Sequence, residues 1–166
     1  ESVLTVTFAP LTNANGSTVF TFVAKDHHEA KSTNRLTVIV NAVNDAPSFA
    51  LSTNLVSTTS DSGLVKMTNF ANTIKAGPAN EANQSLAFVL TPESTAFFKV
   101  QPTLDGAGLL SFATATNASG SIVVSVVLQD TGGTSNDGVN RSPAQTFRVT
   151  ATATSGSPNL SAWPPP

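Results

Sequence analysis

Apolar residues recur at every second position along most of the chain. Leu4, Val6 and Phe8 alternate with Thr5 and Thr7, and Leu36, Val38 and Val40 alternate with Thr37 and Ile39. The alternation continues through Leu86, Phe88 and Leu90, through Leu110 and Phe112, and through Ile122, Val124, Val126 and Leu128. Phe147, Val149, Ala151 and Ala153 close the series. A period of two puts successive side chains on opposite faces, so each run predicts a half-buried β-strand. Clusters of Gly, Asn, Asp and Pro bound the runs and supply the turns. The best helix candidate, 69–76, is short, rich in Asn and Thr, and followed by Gly77 and Pro78. The pattern predicts an all-β fold.

The chain also repeats itself. A shift of 104 residues lays 6–26 over 110–130 without a gap, and ten of the 21 positions are identical, among them Phe8/Phe112, Asn13/Asn117, Gly16/Gly120 and Asp26/Asp130. Beyond Asp26 the offset grows to 111, which brings Leu36 onto Phe147, Val38 onto Val149 and Pro47 onto Pro158. The second copy therefore carries seven extra residues in one loop, within 131–145. A period near 100 is the size of one sandwich domain. Strands joined by short turns must run antiparallel. These observations divide the chain into the C-terminal half of one module (1–47), a complete module with about seven strands (48–154) and a Pro-rich tail (155–166). Half a sandwich exposes its core and its edges. Completion by upstream chain, or by a partner that adds strands, is therefore expected.

Composition narrows the function. Only 11% of the 166 residues are charged, against 40% apolar, and the net charge is −2. No basic run is present that would mark a nucleic-acid partner. The longest nearly unbroken apolar run, 122–128, is interrupted by Ser125 and is too short to span a bilayer. Ser and Thr number 42 and Asn 14, but the many Val, Ile, Leu and Phe residues argue against disorder. Cysteine is absent, which removes disulfides and thiolate metal sites. The chain begins at Glu1 without a charged n-region and an apolar h-region, and it reads as a processed or excised piece of something longer.

Ordered motifs carry a resemblance. The stretch FAPLTNANGSTVFTFVAKD, followed by LTVIVNAVNDAPSF, resembles the cadherin-like/Ig-like tandem repeats of large bacterial surface proteins, in which VNDAP closes one module and opens the next. TTSDSGLVKMTNFANTIKAGPANEANQSLAFVL, FFKVQP and LQDTGGTSNDGVNRSPAQTFRV follow in the order of that family, so the likeness covers roughly 2–154. It implies tandem Ig-like/cadherin-like antiparallel β-sandwich modules. It also implies an extracellular or cell-surface location, no enzymatic activity, and a role as spacer, adhesin stalk or matrix component. Partners would be neighbouring modules, other copies or other surface-structure proteins. Two departures stand out. Ser60 precedes Asp61 where the family usually has an acidic pair, and Ser155, Gly156, Ser157 and Pro158 replace the second NDAP. The second module thus looks like the last of its array.

Candidate sites follow from this. Cadherin junctions bind calcium, and the linker offers Asn44 and Asp45 as ligands, although such a cation needs six to eight oxygens with several carboxylates. Glu81, Asp61 and Asp105 are further acids but form no cadherin-type acidic signature. The alternative is that Asn44, Asp45, Ala46 and Pro47 form a rigid turn. His27 and His28, beside Asp26 and Glu29, read as a solvated turn rather than a metal site. A Ser/His/Asp hydrolase would need a base held against a nucleophile, and both histidines share one loop of the incomplete module. Asp26 and Asp130 end long strands and read as turn caps. Thr150, Thr152 and Thr154 could form a hydroxyl ladder that binds carbohydrate, or an ordinary solvated sheet face. Sequons at Asn15, Asn83, Asn117 and Asn159 are glycosylation candidates, with Asn140 made poorer by Pro143. Trp163, Pro164, Pro165 and Pro166 begin a stiff polyproline II segment and a candidate partner contact. That tail also resembles the hydroxyproline-rich glycoproteins of algal walls and flagellar surfaces.

Overall fold

A computed structural model of the chain describes residues 5–153. Thr154, Asn159, Trp163, Pro164, Pro165 and Pro166, with the rest of the tail, lie outside the described residues. The fold is all-β and sandwich-like, as the alternation predicts. Strands β1 (Gly16–Lys25) and β2 (Lys31–Val40) pair antiparallel along their whole length, from Gly16 opposite Val40 to Lys25 opposite Lys31.

Nine strands follow: β3 (Ser48–Leu51), β4 (Leu55–Thr59), β5 (Val65–Met67), β6 (Ala71–Lys75), β7 (Ala87–Pro92), β8 (Phe98–Leu104), β9 (Leu110–Thr114), β10 (Gly120–Gln129) and β11 (Gln145–Thr152). One sheet has the order β4-β11-β10-β7. Across the core lie β5-β9-β8 and the pair β3-β6. Asn69, held at φ 56°, breaks what would be one strand into β5 and β6. Phe70 and Ala71 then donate their N–H groups to the Gly108 carbonyl, at 2.8 and 3.2 Å. Gly108 is required there: its φ is +81°, and a Cβ would collide with the Ala71 carbonyl oxygen.

The core is built by the period-two faces. Ile122, Val124, Val126 and Leu128 of β10 are buried, while Val123, Ser125 and Val127 between them are half-buried. Two edge-to-face ring pairs tie the layers together. Phe70 meets Phe147 at 4.9 Å and Phe49 meets Phe88 at 5.1 Å. Such pairs add to the area buried because ring edge and face carry opposite partial charge.

The structure departs from the pattern in four places. Residues 5–15, which include the Val6 and Phe8 alternation, form no strand. Their repeat counterpart β9 is paired on both sides, by β5 and β8, whereas 6–10 have no such neighbours among the described residues. The best helix candidate is instead strand β6. The second module has nine strands rather than about seven because edge segments are split. Finally, β4 and β11 pair in parallel. They are near the two ends of the module, so the intervening chain supplies the long crossover that parallel pairing needs.

Burial predicts a contrast between the repeat counterparts Phe147 and Leu36. Phe147→Ala empties a core site and is expected to lower stability by about 3–5 kcal/mol. Leu36→Ala acts on a side chain that is 43% exposed and should leave the main unfolding transition in place. Urea denaturation of both variants measures the difference, and equal losses would refute it.

Candidate junction site

Residues 41–47, between β2 and β3, have no regular structure, yet Asn44 and Pro47 are buried. Asn44 is buried because the following module surrounds it with partners. Its Nδ2 donates to Asp130 Oδ1 at 3.0 Å and to the Val139 carbonyl at 2.8 Å. Its Oδ1 accepts from Gln84 Nε2 at 2.8 Å, and its main-chain carbonyl accepts from Val139 N–H at 2.8 Å. One residue later, the Asp45 N–H donates to the Glu81 carboxylate, with Oε1 at 3.1 Å and Oε2 at 3.3 Å. Glu81 is buried at the end of a single 3-10 turn, Ala79–Glu81.

The loop that clasps Asn44 is the one carrying the seven extra residues. Asp130 starts it and turns it by accepting the Gly132 N–H at 2.9 Å. A 3-10 turn, Ser135–Asp137, follows, and the chain returns by a Gln129–Arg141 bridge. The Asn140 carbonyl accepts from Asp130 N–H at 3.1 Å. Gly132 leaves room for the amide, since a Cβ there would collide with Asn44 Oδ1. Asp130 Oδ2 and Gln84 Oε1 are buried and meet no donor among the described residues.

Of the residues singled out from the sequence, Asn44, Asp130 and Glu81 join this network through their side chains, Asp130 also capping its turn as expected. Asp45 enters through its main-chain N–H, and its exposed carboxylate is not among the network's bonds. Glu81 serves the linker as an acceptor. Asp105 caps its own turn by accepting Ala107 and Leu109 N–H, each at 2.9 Å, and Asp61 is exposed in another turn. His27 and His28 are exposed in the β1–β2 turn, their rings 3.7 Å apart. Among the described residues no three His, Cys, Asp or Glu side chains come together as a metal-binding group. Asn15, Asn83 and Asn117 are exposed, whereas Asn140 is half-buried. Thr150 shares a 2.8 Å hydroxyl bond with Ser121, and Thr152 donates to the Thr58 carbonyl at 3.4 Å, so both hydroxyls of the ladder have partners within the sheet.

Gln84, Val139 and the two loop glycines Gly132 and Gly138 were not visible as site residues in the sequence. The length difference between the repeat copies reaches Val139, Gly132 and Gly138, and no sequence signal reaches Gln84. No protein-family model matches the chain, and a search of curated proteins returns no match. Among the described residues no helix is long and apolar enough to cross a membrane.

Removing the amide should be costly. Asn44→Ala strips two donors and an acceptor from buried partners, and a loss of about 2 kcal/mol is expected. Gly132→Ala should produce a similar loss by driving a Cβ into the amide oxygen. Urea unfolding and hydrogen exchange at Gly138 and Val139 report both. Wild-type protection at Val139 in either variant would contradict the clasp.

Proposed function

We propose that the chain is a non-catalytic structural module of a large extracellular or cell-surface protein, used for spacing, adhesion or assembly. What supports this reading is the burial of the linker residue Asn44 inside the following module. A loose tether would leave its polar groups to water. Here the amide is bonded to three separate segments, and the segment between β2 and β3 becomes part of a rigid body. Such a connection fixes the direction in which one module follows another, and that is the property a stalk or filament needs. The exposed acceptors Asn15, Asn83 and Asn117 fit a glycosylated surface.

The rigid-connector role is tested by small-angle X-ray scattering on the chain and on Asn44→Ala. The variant is expected to give a broader distance distribution at low ionic strength and at physiological salt alike. An unchanged distribution would argue against a mechanical role for the linker.

Calcium at the junction is a separate question with its own outcome. Asn44 Oδ1 is already taken by Gln84 Nε2, and Asp45 joins through its main chain. The melting temperature is therefore expected to stay the same when EDTA is added. A fall restored by calcium would overturn this and direct attention to the free acceptors Asp130 Oδ2 and Gln84 Oε1.

A further inference from the structure

The β1–β2 hairpin repeats β10–β11 in geometry as well as in sequence. Asn13 and Asn117 both take φ 61°. The turn bonds from Ala14 N–H to the Leu11 carbonyl and from Ala118 N–H to the Ala115 carbonyl are one bond repeated 104 residues on, at 3.0 and 3.1 Å. What differs is cover. One face of the hairpin carries Phe20, Phe22, Leu36, Val38 and Val40, with Phe8 packed on Phe20 at 4.7 Å. Phe8, Phe20 and Leu36 are 36%, 39% and 43% exposed, whereas their counterparts Phe112, Val124 and Phe147 are 0%, 0% and 1% exposed. A contiguous exposed apolar face of this kind marks an interaction surface.

The covered copy shows what the partner must be. There β7 lies antiparallel along the outer edge of β10, from Val124 to Gln129, and β4 lies parallel along β11, from Arg148 to Thr152. The other sheet closes the face. We infer that the apolar face of β1–β2 seats a segment of the same class as 48–109, supplied in line ahead of the hairpin. It adds an antiparallel strand along 20–25 and a parallel strand along 37–41, and closes the face with a second sheet. This goes beyond the spacer role and does not rest on it.

Residues 6–10 decide in favour of an in-line source. They correspond to β9, the middle strand of the closing sheet, and Phe8 already lies against Phe20. A strand beside 6–10 must therefore feed directly into them, as β8 feeds into β9 through a tight turn. A second copy of the chain has no spare set of such strands, because β3–β9 already cover its own β10–β11.

The test compares the 166-residue chain with a chimera in which a duplicate of 48–109 precedes Val6, which keeps the required Gly108. In the original chain the β1–β2 amides should exchange on the order of 100-fold faster than those of β10–β11, and the open face should bind the dye ANS. The chimera should lose dye binding and slow the β1–β2 amides to the β10–β11 range. Unchanged exchange in a chimera whose β10–β11 remain protected would overturn the inference. Phe20→Asp in the 166-residue chain needs no refolded chimera. It should reduce dye binding while leaving a monomer with the same melting temperature. A dimer in the parent chain that Phe20→Asp dissociates would assign the face to a second copy and overturn the in-line source.

Discussion

The amide of Asn44 is the constraint on which the arrangement of the two repeats depends. A buried carboxamide costs free energy unless its donors and acceptor are all matched. Each match here comes from a different stretch: Gln84 after the 3-10 turn, Asp130 at the end of β10, and Val139 in the long loop. The linker amide bonds these stretches to one another through a single side chain. Gly132 and Gly138 keep the space clear, and any side chain at Gly132 would occupy the position of the amide oxygen. The Asp45 N–H and the buried Glu81 carboxylate extend the same coupling by one residue.

The second module was legible in the sequence wherever one strand face is buried. β10 is the clearest case, since Ile122, Val124, Val126 and Leu128 all enter the core in strict alternation. The first residues show the limit of that signal. Val6 and Phe8 alternate as well as any strand, yet no strand forms there, because a ladder needs neighbours with free backbone groups. Alternation states which face would be buried and says nothing about whether cover is present. The parallel β4–β11 pair was hidden for a related reason: it joins segments some 90 residues apart, outside the reach of any local pattern. The break at Asn69 depends on a single left-handed residue, which Asn tolerates and which no periodicity announces.

The site was legible in part. The motif around Asn44 and Asp45 drew notice as a junction, but its residue types suit a cation ligand and a hydrogen-bonded latch equally well. Chemistry alone cannot separate the two. The partners can, and they lie 40, 86 and 95 residues away in the chain. The seven extra residues of 131–145 pointed toward Val139, the strand-end position of Asp130 marked that residue as a cap, and nothing in the pattern marked Gln84.

Those extra residues explain why the two copies differ at a shared carboxylate. Asp26 Oδ1 accepts both His28 and Ala30 N–H, at 2.8 and 2.9 Å, so it is satisfied by its own short turn. Asp130 Oδ1 accepts Gly132 N–H from its loop but takes its second bond from Asn44 across the junction. The residue is the same and so is its position at the end of a long strand. What changes is the loop, which in the second copy reaches outward far enough to place Val139 beside the linker and leave the carboxylate a bond to share. The loop's share of the clasp, the Val139 bonds and the geometry at Asp130, is thus a property of loop length superimposed on a common hairpin, while Gln84 and Glu81 hold the linker from outside the loop.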